Sequence, residues 1–239
     1  MVYVQNMIRV FIGTEEAQWL PTEVLKHSIL RRTQEPVEFT ELKNLPLKLT
    51  FKMYTGFSLY RFYIPEACHY EGRALYLDAD IVVLCDLKEL MELDMQGKGA
   101  LSRHLENADA WYTSVMLMDC SKLKSWKLKE WVAMLNAGIV TYQGIMSADK
   151  TGMNHKDFGN LEEKWNHLDH FDNTTKIIHY TNVPTQPWKK GGHPNRHVFL
   201  KEMKAALDDK IITVEDVKRE IAAGHIYPAI LEDMEKAVT

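Results

Sequence analysis

Two aspartates stand between two short apolar runs in the segment RALYLDADIVVL, residues 73–84. Short apolar runs rich in β-branched and aromatic residues are typical of buried strands. Side chains two residues apart lie on one face of a strand, and a tight turn at the end of a strand also converges them. In either geometry the carboxylates of Asp78 and Asp80 point to one place, at the end of a core strand.

Two carboxylates that lie close together beside apolar strands repel each other unless a cation or a proton relieves the repulsion. Carboxylate oxygens suit hard divalent ions such as Mg²⁺ and Mn²⁺, and these ions also hold substrate phosphates. A surface turn with two solvated aspartates is the alternative interpretation, because a bare Asp-x-Asp is common in sequences. The apolar runs on both sides of the pair favour the metal site.

The N-terminal part of the chain has the order strand, helix, strand. Residues 8–12 are a short apolar run that Gly13 ends, and Pro21 opens a helical pattern. Residues 37–40 form a second short strand. This order predicts an α/β fold with a parallel sheet and helices on its faces.

We expect one domain over residues 1–239, with a catalytic core over about 8–200 and C-terminal helices over about 201–239. Further predicted elements are a helix over residues 57–63 that Pro65 ends, strands over 98–103, 114–118 and 176–180, a helix over about 122–135, long loops over 141–170, a capped helix start at Thr213 and a helix stop at Gly224.

The composition argues against several classes of protein. The formal net charge of -4 makes a nucleic-acid partner unexpected, because phosphate-backbone recognition relies on clustered Lys and Arg. No apolar run reaches the roughly 20 residues that span a bilayer, and the N-terminus lacks a signal-peptide pattern, so we expect a cytoplasmic protein. Cys68, Cys85 and Cys120 have no CxxC spacing, which predicts buried thiols rather than disulfides or a zinc site.

The stretches TGFSLYRFYIP (55–65) and GRALYLDADIVVLCDL (72–87) resemble family 8 glycosyltransferases of the GT-A fold. In that family an Arg-containing helix leads to an apolar strand, then to Asp-x-Asp, and then to an Asp-Leu that begins the next helix. The resemblance implies a Rossmann-like, mostly parallel sheet flanked by helices. It also implies a retaining transferase that takes its sugar from a UDP-sugar and uses Mn²⁺ or Mg²⁺.

The resemblance assigns Asp78, Asp80 and His179 to the metal, with Asp78 and the intervening Ala79 also beside the nucleotide. In the family, the metal-binding histidine begins the motif His-x-x-Gly-x-x-Lys-Pro-Trp. This chain has HYTNVPTQPW over residues 179–188, which is one residue longer, with Asn182 in place of Gly and Gln186 in place of Lys. Lys189 or Lys190, just beyond the motif, are the remaining candidates for the phosphate-binding charge, although both also fit a solvated surface.

Four further positions follow from the resemblance, and each also has an ordinary structural interpretation. Arg61 is expected to bind the diphosphate or a sugar hydroxyl through paired donors. Gly13 and Thr14, at the end of the first strand, are expected beside the base and ribose, where open α/β sheets bind ligands. Gln143 is expected near the anomeric carbon, although the carboxylate that many family members carry before it is replaced here by Tyr142.

Two alternatives remain. A non-catalytic nucleotide-sugar or glycan-binding protein descended from a transferase fits the altered motif and the missing carboxylate. A sugar nucleotidyltransferase fits less well, since no Gly-rich loop lies near the N-terminus. No known zinc-ligand spacing is matched by the histidines His155, His167, His170, His193 and His197. The sequence leaves the acceptor open among glycans, lipids, proteins and small molecules.

Overall fold

The computed structural model describes residues 7–238, whose contacts gather into two compact units. Of the described residues, the first unit comprises 7–14, Glu35–Asp78 and Lys88–Trp165, and the second comprises Glu15–Gln34, Ala79–Leu87 and 166–238. The chain therefore passes from the first unit to the second between the two residues Asp78 and Ala79, inside the paired-aspartate segment.

Strands and helices alternate through most of the described chain. The strands are β1 (Ile8–Gly13), β2 (Val37–Leu42), β3 (Arg73–Asp78), β4 (Ile81–Val83), β5 (Ala100–Leu105), β6 (Ala110–Asp119), β7 (Phe158–Asn160), β8 (His167–Leu168) and β9 (Ile177–His179). The α-helices are α1 (Trp19–Leu30), α2 (Ile64–Ala67), α3 (Leu87–Met91), α4 (Leu128–Asn136), α5 (Tyr142–Ser147), α6 (Arg196–Asp208), α7 (Val214–Ala222) and α8 (Ile230–Val238).

The first unit is built on a six-stranded mixed sheet in the order β2-β1-β3-β6-β5-β7. β1 runs parallel to β2 and β3, β6 is antiparallel to β3 and β5, and β7 is parallel to β5. The register pairs Gly13 with Asp78, so the ends of β1 and β3 lie side by side. An aromatic core that includes Phe62, Trp126 and Phe158 packs within this unit.

The second unit contains a small sheet in the order β4-β9-β8, with β9 antiparallel to β4 and parallel to β8. Helix α1 packs against α6 and β4, and α6 also packs against α8. Tyr180, Trp188 and Phe199 belong to the buried core of this unit. The predicted capping box at Thr213 opens α7, and Gly224 follows its end with a φ of +77°, so both helix signals are confirmed.

The predicted α/β fold class, a mostly parallel sheet flanked by helices, is confirmed, whereas the single-domain assignment stays a prediction. The prediction that Pro65 ends a helix is wrong. A 3-10 helix over Ser58–Tyr63 leads into α2, and Pro65 lies in the first turn of α2. Proline is tolerated there because the first turn of a helix does not use its backbone N–H.

Two other element boundaries differ from the prediction. The helix expected over about 122–135 begins only at Leu128, because Trp126 is buried and donates its ring N–H to Asp157 (2.7 Å) in the segment before it. The expected loops over 141–170 contain α5, β7 and β8. Thr141 caps α5 by accepting the N–H of Gly144. Cys68, Cys85 and Cys120 are buried thiols outside any disulfide, as predicted. Among residues 7–238, no helix has both the length and the apolar character needed to cross a membrane.

Candidate functional site

Asp78 is the last residue of β3, which lies in the middle of the first unit's sheet. Arg61 Nη2 donates to Asp78 Oδ1 at 3.0 Å, and the hydroxyl of Tyr76 donates to the same oxygen. Tyr76 and Asp78 are two residues apart in β3, so their side chains share one face of the strand. The structure thus holds the Asp78 carboxylate in a fixed orientation beside Gly13, at the carboxyl end of two parallel strands.

Arg61 is buried, and its guanidinium donates hydrogen bonds to other groups of the protein. Its Nε donates to the carbonyl of Ser58 (2.9 Å), and its Nη1 donates to the carbonyl (2.6 Å) and hydroxyl (3.0 Å) of Thr113. The guanidinium also lies 4.5 Å from the centre of the Tyr76 ring. Arg61 therefore holds Asp78, and its predicted contact with a sugar donor stays a prediction.

Gly13 is glycine for a steric reason that the sequence did not reveal. A Cβ atom at this position would lie 2.1 Å from the Tyr76 hydroxyl oxygen and 2.6 Å from the ring of Phe57. The missing side chain therefore makes room for the tyrosine that holds Asp78. Thr14 is buried next to Gly13, and its N–H donates to the carbonyl of Leu42 at 3.5 Å. The expected role of Gly13 and Thr14 beside the nucleotide stays a prediction.

Asp80 and His179 meet within the second unit. Ala79, which is buried, and Asp80 form the turn between β3 and β4. The antiparallel register then pairs Ile81 with His179, and the N–H of Tyr180 donates to the carbonyl of Asp80 at 2.9 Å. As a result His179 Nε2 lies 3.1 Å from Asp80 Oδ1. His179 is the last residue of β9, as the sequence predicted.

The two carboxylate oxygens of Asp80 have different surroundings. Oδ2 accepts a hydrogen bond of 2.9 Å from Gln186 Nε2, whereas Oδ1 is buried and accepts none from any described residue. Neighbouring ligands of an octahedral ion with bonds of about 2.1 Å lie about 3 Å apart, which matches the separation of Oδ1 from His179 Nε2. Asp78 precedes Asp80 by two residues, so their Cα atoms are at most about 7 Å apart. The Asp80 carboxylate and the His179 imidazole, both in the second unit, suit a divalent cation.

Gln186 is a site residue that the sequence interpretation missed. It is 2% exposed, and its Nε2 also donates to the carbonyl of Tyr180 at 2.9 Å. Its position in the His…Pro-Trp segment could have indicated a role near the metal. The sequence interpretation treated it only as a departure from the lysine of the family motif. Lys189 is partly exposed and Lys190 is exposed, so a role for either in phosphate binding stays a prediction.

Gln143 lies on α5 in the first unit and is exposed. Its Oε1 accepts a hydrogen bond of 2.7 Å from the hydroxyl of Tyr54. The same helix is tied to the Arg61 network, because the Thr113 hydroxyl donates to the carbonyl of Met146 at 2.7 Å. This connection links α5 to the residues that hold Asp78, and a role for Gln143 at the sugar stays a prediction.

Asp169 accepts hydrogen bonds from the segment that follows β9, residues 181–193. The N–H groups of Thr181 (3.0 Å) and Asn182 (3.5 Å) and the Nε2 of His193 (3.0 Å) lie against Asp169 Oδ1, and the Thr181 hydroxyl donates to Oδ2. Burial by itself raises the pKa of Asp169, but the hydrogen bonds from Thr181, His193 and Asn182 outweigh it and lower the pKa below its usual value. These bonds hold both ends of the segment that carries Gln186.

The structure also brings together His167 and His170, two of the histidines whose spacing matches no zinc-ligand pattern. Ligand atoms of His167, His170 and Asp172 lie within 4.8 Å of one another in the second unit. His170 Nε2 lies 3.0 Å from Asp172 Oδ2, and His167 Nδ1 lies 2.7 Å from the hydroxyl of Thr175. Ordinary hydrogen bonds therefore account for this cluster.

The sequence profile described as glycosyl transferase family 8 matches residues 14–143, more than half of the chain. The chain belongs to glycosyl transferase family 8. Over 93 residues it is also 33% identical to Protein CDI of Arabidopsis thaliana, and this match covers 36% of each protein. The family match includes Asp78 and Asp80 but ends before His179.

Solved glycosyltransferases share the fold of this family 8 member. A WbbM bifunctional glycosyltransferase has a TM-score of 0.68 at 13% identity, over 88% of this chain and 52% of its own. GlyE of Streptococcus pneumoniae TIGR4 has a TM-score of 0.65 at 17% identity, over 93% and 65%. LgtC, solved with donor and acceptor sugar analogs, has a TM-score of 0.60 at 14% identity, over 83% and 96%. At these identities the similarity shows the GT-A fold, and this chain spans only part of the length of WbbM, GlyE and Protein CDI.

Proposed function

We propose that this family 8 chain transfers a sugar from a nucleotide diphosphate sugar, with UDP as the nucleotide, to an acceptor hydroxyl, with retention at the anomeric carbon. We also propose that it uses Mn²⁺ or Mg²⁺. One observation carries the metal proposal: the buried Asp80 Oδ1 accepts no hydrogen bond from a described residue and lies 3.1 Å from His179 Nε2. A buried carboxylate oxygen in that position is destabilising unless a cation offsets its charge.

Each part of the proposed site has a task that its chemistry suits. Asp78, Asp80 and His179 would hold the cation, and a bound cation stabilises the negative charge that develops on the departing diphosphate. Arg61 and Tyr76 keep the Asp78 carboxylate in place through their hydrogen bonds. The remaining proposed contacts to the donor are Gly13, Thr14 and Ala79 near the nucleoside, Lys189 or Lys190 at the phosphates and Gln143 at the sugar.

The sugar end of the site offers no carboxylate next to Gln143, because Tyr142 precedes it. We propose front-face transfer, in which the bond from the anomeric carbon to the diphosphate breaks on the side where the acceptor oxygen bonds. The departing phosphate oxygen accepts the proton of the acceptor hydroxyl. The carboxamide of Gln143 would orient the sugar without forming a covalent bond to it.

Thermal unfolding with UDP and Mn²⁺ tests the nucleotide and metal site. Ligand at about 100 times its Kd adds about 2.7 kcal/mol of stability, which for a domain of this size raises the melting temperature by roughly 5 to 11 °C. Asp80→Asn keeps the size of the side chain but removes its charge, so we expect it to lose most of this shift. An equal shift in Asp80→Asn, or none in the unsubstituted chain, contradicts the proposed site.

A non-catalytic nucleotide-sugar or glycan-binding protein is the second candidate, because Gln186 and Tyr142 replace residues of the family pattern. The two candidates differ in turnover. A transferase incubated with UDP- and GDP-sugars and Mn²⁺ releases the nucleotide, at least slowly to water, whereas a binding protein gives the thermal shift without release. Nucleotide release that Asp80→Asn abolishes supports the transferase.

A further inference from the structure

Gln186 is a buried polar side chain that contacts a proposed metal ligand, Asp80. The proposed reaction gives Gln186 no task of its own. Its carboxamide nitrogen has two N–H groups, and one donates to Asp80 Oδ2 while the other donates to the carbonyl of Tyr180, both at 2.9 Å. We propose that Gln186 is a positioning residue: it fixes Asp80 so that Oδ1 is presented to the cation beside His179. This inference rests on the proposed function.

The chain around Gln186 holds the carboxamide in place. The Gln186 carbonyl accepts the N–H groups of Lys189 (2.8 Å) and Lys190 (3.1 Å). Trp188, two residues further on, is fully buried with its ring centre 4.9 Å from that of Phe199. A buried donor whose backbone is held by hydrogen bonds loses little further freedom when it orients a ligand residue.

A neutral donor at this position has an electrostatic consequence. A lysine here would form an ion pair with Asp80, and its positive charge would repel a divalent cation bound to the same carboxylate. The carboxamide of Gln186 orients Oδ2 and leaves the full negative charge of Asp80 for the cation. A glutamine at this position therefore supports the metal ligand without placing a positive charge beside the cation.

A titration with Mn²⁺ alone tests the inference without the sugar donor. The electron paramagnetic resonance signal of the free ion measures how much Mn²⁺ is bound. Gln186→Leu keeps a similar volume and removes both N–H donors. Residues that hydrogen-bond metal ligands typically contribute about 10- to 100-fold to metal affinity, so we expect the Kd for Mn²⁺ to rise by that factor. We expect Gln186→Lys, which keeps donors to Asp80 but adds a charge, to weaken Mn²⁺ binding as well.

Thr213→Ala is the matched control for loss of stability. Thr213 caps α7 in the same unit through its bonds to Asp216, and loss of such a cap lowers the stability of the protein. We expect Thr213→Ala to melt at a lower temperature but to bind Mn²⁺ with unchanged affinity. This control separates a general loss of stability from a specific effect on the metal ligand.

The outcomes distinguish this inference from the proposed function. If Gln186→Leu binds Mn²⁺ as tightly as the unsubstituted chain, Gln186 does not position Asp80, while the metal site stands. If Gln186→Lys binds Mn²⁺ with unchanged affinity, a positive charge beside Asp80 does not repel the cation, and the electrostatic argument is wrong. If the unsubstituted chain does not bind Mn²⁺ at all, the proposed metal site fails and this inference fails with it.

Discussion

Gly13 ends β1 beside Asp78, and a methyl group at Gly13 would collide with the residue that holds this aspartate. Tyr76 is fully buried, so its ring cannot swing into solvent to avoid a Cβ placed 2.1 Å from its hydroxyl oxygen. We expect Gly13→Ala to destabilise the protein by about 1 to 3 kcal/mol, the usual range for overpacking. We also expect weaker Mn²⁺ binding, because Asp78 loses the tyrosine donor.

Gly192→Ala is the matched control for this prediction, since a Cβ at Gly192 has no described atom within 4 Å apart from those of Gly192 and its two chain neighbours. Chemical denaturation measures the stability of both variants, and Mn²⁺ titration measures their metal affinity. Equal stability of Gly13→Ala and Gly192→Ala would show that Tyr76 moves aside without loss.

Lys189 and Lys190 are the cations that follow the motif in which Gln186 replaces lysine. If they bind the diphosphate, the double substitution Lys189→Ala with Lys190→Ala removes charge-assisted hydrogen bonds, each worth about 1.5 to 3 kcal/mol. We expect the Kd for UDP with Mn²⁺ to rise at least about tenfold and the Kd for Mn²⁺ alone to stay unchanged. Isothermal titration calorimetry measures both constants. Unchanged UDP affinity would mean that another group neutralises the phosphates.

The segment after β9 depends on one carboxylate, and its stability should depend on pH. The folded-state pKa of Asp169 is lowered, so its contribution to stability is present above the unfolded pKa of about 3.9 and is lost as the pH falls through the folded value. We expect the unfolding free energy to drop as the pH falls below about 4. Asp169→Asn removes this contribution, so its stability should fall less steeply in urea denaturation between about pH 5 and 2. Parallel pH profiles of the two proteins would contradict this role of Asp169.

The elements that the sequence predicted well are those with a local signal. β1, β3 and β9 are apolar runs, α1 has a helical pattern, and the start of α7 has a capping box. β7 was missed because its three residues form a strand only by pairing with β5. α5 was missed because a six-residue helix with Gly144 in it has little helical pattern and depends on its cap.

The candidate site combines residues that are far apart in the sequence. The motif and the resemblance predicted Asp78, Asp80 and His179, and the structure brings Asp80 and His179 within 3.1 Å. The bond between Gln186 and Asp80 joins residues 106 positions apart, and no pattern in the sequence predicts such a contact. The role of Gly13 was missed for the same reason, because the Tyr76 hydroxyl reaches it only across paired strands.

The proposed donor set also predicts which metal ions stabilise the whole protein. The separation of Asp80 Oδ1 from His179 Nε2 fits bonds of about 2.1 Å, whereas Ca²⁺ prefers bonds of about 2.3 to 2.6 Å and more oxygen ligands. Imidazole nitrogen is a ligand of first-row transition metals, to which Mn²⁺ belongs and Mg²⁺ does not. We therefore expect the melting temperature with UDP to rise in the order Ca²⁺, Mg²⁺, Mn²⁺, and we expect excess chelator to remove the rise. A thermal shift by UDP that is the same with Ca²⁺ or with chelator would mean that the nucleotide binds without the Asp80 and His179 site.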